Sequence, residues 1–123
     1  MLLLHVIVDI RIMPQIPQQT AQVARKHALQ SLERGKSLEE LGKRLQSNDP
    51  LKEEIGQSIE ESGKTIQEQA QKFGEKTQQL AESGSTEVFA ECLQAHIDVN
   101  QTYIEAVKEF QKELQTHLTY SQR

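Results

Sequence analysis

The chain has 123 residues, a net charge of −4, and 36% hydrophobic against 26% charged residues, with a mean hydropathy of −0.62. That describes one domain with a modest core, leaner than an ordinary globular chain, and its acidic balance argues against general nucleic-acid binding. A single cysteine, Cys92, excludes an internal disulfide and points to a reducing, cytoplasmic setting, and no stretch approaches the roughly 18 apolar residues of a membrane span.

Residues 4–13 alternate as a strand does, with Val6, Val8, Ile10 and Ile12 on one side and Asp9 and Arg11 on the other. Pro14 and Pro17 end the pattern, because proline removes a donor and restricts its predecessor. No second strand is present to pair with it. Residues 1–17 therefore read in one of two ways: an extended N-terminal arm that pairs or packs elsewhere, or an upstream extension of twelve residues with Met13 as the true start. The opening lacks a basic region and a small-residue cleavage site, so it does not read as a signal peptide.

From Gln18 the pattern is helical, and residues 18–123 are expected to form an all-α, antiparallel up-down-up three-helix bundle. The first arm runs to about Ser47. Gly35 followed by Ser37-Leu38-Glu39-Glu40 resembles a capping box and predicts a kink near Gly35. Ser47-Asn48-Asp49-Pro50 is a stop and restart, with Asn48 or Asp49 as the cap and Pro50 in the first turn of the second arm. The second arm spans residues 50–82, supported by Glu60/Lys64 and Glu68/Lys72 at the favourable i,i+4 spacing. Gly84 ends it and Ser85 caps the third arm, which runs from about Thr86 to Leu118.

A seven-residue ruler orders the arms. Ala21, Ala28, Gly35, Gly42, Gly56, Gly63, Ala70, Thr77 and Gly84 fall on one row, with only Asp49 breaking it, and Ile59, Ile66, Phe73 and Leu80 stand three after the later members. A heptad with one small and one large row is the coiled-coil pattern of a helix that approaches a neighbour closely. Folding at the turns sets Gly42 beside Gly56, Gly35 beside Gly63 and Ala28 beside Ala70, and brings Ile66 to Tyr103, Ile59 to Phe110 and Phe73 to His96. Glycine inside a helix costs about 1 kcal/mol relative to alanine, so these glycines need a packing reason. The third arm's seam reads Phe89, Leu93, His96, Asn100, Tyr103, Val107, Phe110, Leu114 and His117.

Within that seam His96, Asn100 and Tyr103 form a candidate buried polar layer. They read either as a hydrogen-bonded layer that sets register, the favoured reading, or as a ligand site. Glu113 and His117 share one helix face, but the Glu-x-x-His pairs of a di-iron bundle do not occur, so neither a metal nor a cofactor is expected. Cys92 lies beside the seam and reads as a buried structural thiol rather than a nucleophile. The basic residues Arg25, Lys26, Arg34, Lys36, Lys43 and Arg44 dot the first arm without interleaved aromatics, as a solvated face does. No catalytic constellation emerges. The expected function is a non-enzymatic protein–protein interaction module, an adaptor, scaffold or assembly factor that self-associates. The alternative is an amphipathic protein that lies on a lipid or other hydrophobic surface, and an enzyme built on the His96/Asn100/Tyr103 layer ranks third.

Overall fold

In the computed structural model the described residues are 15–46 and 50–121, without the side chains of Leu51 and of residues 117–121. They form three helices: α1 (Gln18–Gln46), α2 (Pro50–Ser83) and α3 (Thr86–Ser121). Among the described residues only 15–17 and 84–85 lie outside them. At 1.5 Å per residue the helices are roughly 45–55 Å long. The expected N-terminal strand, the Asn48/Asp49 cap and the side chain of His117 lie outside the described residues.

The helices pack as a three-helix bundle with α2 in the middle. α1 lies along α2 over most of its length, α3 packs on α2 more loosely, and α1 and α3 meet at only a few points. α1 runs unbroken through Gly35, so the capping-box residues at 37–40 stay within one helix. Pro50 opens α2 at the first helical position, where its missing N–H costs nothing.

The α1–α2 contact is backbone on backbone. Ala21, Ala28, Gly35 and Gly42 of α1 are buried, and so are Gly56, Gly63, Ala70 and Thr77 of α2. A β-carbon placed on Gly35 would stand 2.9 Å from the carbonyl oxygen of Gly63, and one on Gly63 would stand 2.6 Å from that of Gly35. Gly42 and Gly56 repeat the pair one heptad on, at 2.5 and 2.7 Å. Real side-chain carbons do not come so near. Only glycine lets these two helices meet at this separation.

The large row of α2 fills the remaining space. Ile59, Ile66, Phe73 and Leu80 are each at most 5% exposed, and burying such a side chain contributes about 1.5–3 kcal/mol. The row that α3 sets against them is Cys92, Val99 and Ala106, all buried, flanked by half-buried Phe89, His96, Tyr103 and Phe110. This corrects the seam expected for α3. Residues 89, 96, 103 and 110 take part, but their partner row lies three residues further on, at 92, 99 and 106. The expected row, four further on, leaves Leu93 and Leu114 about half exposed. Both rows satisfy a 3–4 spacing, and the fold takes the smaller side chains because α2 already presents bulky ones. Cys92 is thus in the core rather than beside it.

The α2–α3 turn is closed by its own chemistry. Gly84 has φ of +61°, which glycine adopts without a side-chain clash, and its N–H donates to the Leu80 carbonyl at 2.8 Å. Ser85 Oγ accepts from the Val88 N–H at 3.3 Å, capping α3. The segment leading into α1 then docks on this turn. The Ile16 N–H donates to the Gly84 carbonyl at 2.9 Å, and Gln18 Nε2 donates to the Ala81 carbonyl at 2.6 Å. The Ala81 carbonyl in the last turn of α2 and the Gly84 carbonyl just beyond it are thus met by residues more than sixty positions earlier.

Candidate functional site

The sequence-derived polar layer becomes a stack of rings. His96 of α3 lies on Phe73 of α2, with ring centroids 5.1 Å apart and planes 19° from parallel. His27 of α1 approaches His96 from the other helix at 5.2 Å. One α3 turn pair along, the Arg34 guanidinium of α1 sits 5.4 Å from the centre of the Tyr103 ring, a cation–π contact of about 0.5–1 kcal/mol at an exposed site. These two bridges mark where α1 meets α3. His96 and Tyr103 belong to this layer; the side chain of Asn100, half-buried between them in sequence, makes no hydrogen bond among the described residues. The layer is therefore held by rings and a cation, not by the hydrogen bonds expected of it.

The surroundings of His96 favour its neutral form. Burial holds His96 below the ordinary histidine value of 6.5, and the positive charge of His27 and Arg34 pushes the same way. It is neutral at pH 7 and faces an apolar ring. Cys92 is no better placed. Burial raises its thiol above the usual value, the Lys76 charge lowers it by less, and Glu91 adds a still smaller rise. A thiol held protonated in a core is a packing group. Among the described residues no three His, Cys, Asp or Glu side chains converge as metal ligands would.

The basic residues of α1 are mostly spent locally. Lys36 pairs with Glu33, Lys43 with Glu39 and Arg44 with Glu40, all along the same helix and at 3.6–3.9 Å. Glu60 and Lys64 pair as expected on α2 at 3.8 Å, whereas Glu68 and Lys72 form no ion pair among the described residues. The tightest pair is one the sequence pattern did not single out: Lys76 of α2 to Glu91 of α3 at 2.9 Å. Between α2 and α3 an open crevice of about 340 Å³ is lined by Ile59, Ala106 and Phe110 together with Glu54, Glu109 and Glu113. Ser58 and Ser62 also line it, and no histidine does.

What remains is a surface. Leu93, Ile97, Ile104 and Leu114 of α3 are 45–49% exposed, although each is a large apolar side chain. They alternate at spacings of 4, 3 and 4 with Asn100, Val107 and Gln111, so they form one continuous stripe beside the core-facing one. α3 therefore carries two apolar faces and spends one on α2. Sequence reasoning merged them into a single seam; the signal that separates them is the count of apolar residues, too many for one stripe. No described helix is long and apolar enough to cross a membrane. Comparison with protein-family models, with curated proteins and with solved structures finds no match to this chain.

Proposed function

We propose that the protein is a non-enzymatic helical interaction module that self-associates, and that the outer stripe of α3 is its contact surface. The observation that supports this is the stripe itself: aliphatic side chains in continuous helical register, about half exposed, on the helix least engaged with the rest of the bundle. Scattered surface leucines need no explanation, but a contiguous apolar patch marks an interaction site. The lean core points the same way, since association buries surface that a small bundle cannot bury alone. An adaptor, scaffold or assembly factor in a cytoplasmic setting is the biological class that fits.

The test is the double variant Ile97→Glu/Ile104→Glu. Both positions are exposed, so the fold and its melting temperature are expected to survive, while sedimentation shows association reduced to the monomer. A wild-type chain that sediments as a monomer throughout, or a variant that associates as before, contradicts the proposal. Flotation with anionic vesicles that depends on the same two residues would replace it with the lipid-surface reading.

A further inference from the structure

We propose that residues 2–12 lie along the outer stripe of α3 in their own chain and compete with a second copy for it. The competition rests on the self-association proposed above; the docking does not. Residues 1–14 lie outside the described residues, and Gln15 and Ile16 fix where they join the bundle. The Ile16 N–H donates to the Gly84 carbonyl at 2.9 Å, and the Gln15 side chain comes within 3.1–3.5 Å of the place a Gly84 β-carbon would take. Ile16 also packs against the core. The segment therefore joins at the turn from which α3 departs.

Its composition and reach match the stripe. Every even position from 2 to 12 is aliphatic, namely Leu2, Leu4, Val6, Val8, Ile10 and Ile12, whereas the odd positions include His5, Asp9 and Arg11. An extended chain sets these two groups on opposite faces. At about 3.3 Å per residue the aliphatic face begins about 10 Å from Gln15 and ends about 43 Å from it. At about 1.5 Å per residue the stripe begins about 13 Å beyond Gly84, at Leu93, and ends about 45 Å beyond it, at Leu114. Two apolar tracks of nearly equal length thus start from one point. Apart, each sets contiguous aliphatic surface in water; docked, each covers the other. The backbone groups of an extended segment point sideways from its side chains, so they stay in water while the even face is buried, and no second strand is needed. α1 offers no such track. Its exposed Val23 and Leu29 are six residues apart, about 120° around the helix.

The tether favours this occupant over a free partner. A short link gives the segment an effective concentration in the millimolar range, so weak contacts are enough to seat it. With the segment docked about nine-tenths of the time, association through the stripe is weakened about tenfold, because only the uncovered fraction is competent to bind.

The docking is tested by a spin–spin distance in the full chain. The chain carries Cys92→Ala, with nitroxides on His5→Cys and Lys108→Cys, and is diluted into a large excess of unlabelled chain so that only distances within one molecule are read. Docked, residue 5 lies about 33 Å along α3 from Gln15, beside Ala106, and a narrow distance below about 20 Å is expected. Undocked, a ten-residue tether strays about 17 Å from Gln15, giving a broad distribution around roughly 40 Å. The broad distribution overturns the inference. So does a short distance that vanishes on dilution, since the segment would then cover a neighbour instead of its own chain. Val6→Asp/Ile10→Asp in the labelled chain is expected to lose the short distance, and its retention contradicts the aliphatic contact. Sedimentation of a chain that starts at Met13, which keeps the Ile16–Gly84 bond, reads the competition separately. It is expected to associate about tenfold more tightly than the full chain. Equal or weaker association contradicts the competition while the docking stands on its distance. If both chains stay monomeric, self-association itself is wrong, and the distance alone decides the docking.

Discussion

Replacing Gly63 with alanine adds one methyl group where α1 and α2 touch, and the structure fixes what it meets. The new carbon would clash with the Glu39 backbone nitrogen and stand 2.6 Å from the Gly35 carbonyl oxygen and 2.9 Å from the Glu39 α-carbon. All three are backbone atoms of one helix turn, so no side chain can swing aside. The helices must part by about 0.5–1 Å, which forfeits a quarter to a half of the dispersion attraction at each neighbouring contact. Overpacking of this kind costs about 1–3 kcal/mol, and separation of a long seam puts the cost at the upper end. Alanine returns about 1 kcal/mol through its better helix propensity. The expected net effect is a loss of about 1–2 kcal/mol, or roughly 3–8 °C in melting temperature. Gly74→Ala is the control. It lies in the same helix, and a β-carbon there meets nothing within 4 Å, so only the propensity term acts and the protein is stabilised by about 1 kcal/mol. Thermal unfolding followed by circular dichroism compares the two. If Gly63→Ala raises the melting temperature as Gly74→Ala does, the close-approach account is wrong.

Other outcomes follow from the turn and the ring stack. Gly84→Ala places a side chain at φ of +61° and within 3.1–3.2 Å of Gln15, so a loss of about 1–2 kcal/mol is expected in urea unfolding. Ser85→Ala removes the α3 cap and is expected to cost about 1 kcal/mol in the same assay; no change would mean that water serves the Val88 N–H equally well. His96 gives a pH signature. Its folded-state value lies below 6.5, so the unfolded chain takes up the proton first. The contribution is complete above pH 6.5, shrinks as the pH falls from there through the lowered folded value, and shrinks no further below it. His96→Leu should flatten stability over that acidic window, and an unaltered pH profile would show that the group is not perturbed.

The α1–α2 contact was legible because a single rule determines it. Small residues recur every seventh position on both sides of Asp49, and a hairpin turning there can pair them in one way, Gly42 with Gly56 and Gly35 with Gly63. The Gly84–Ser85 junction was equally plain, since a left-handed glycine and a serine cap are local chemistry. The α3 face was harder. Residues 89, 96, 103 and 110 border two apolar rows, one three and one four residues on, and periodicity favours neither. The choice was made by volume on α2, a tertiary fact. The contacts of His96 and Tyr103 were hidden for a related reason: Arg34 looked like part of a solvated basic face, His27 belonged to no pattern, and nothing local tells that α1 and α3 run side by side at that height. The docking of residues 15–18 on the α2–α3 turn left no pattern at all, because it depends on which helix end α1 starts beside.

Light scattering of the wild-type chain across a wide concentration range tests the central claim most directly. The account predicts a mass that rises from the 14.0 kDa of one chain toward twice that value as concentration increases, and that stays at the lower value in Ile97→Glu/Ile104→Glu. A wild-type mass of one chain at every concentration would contradict it.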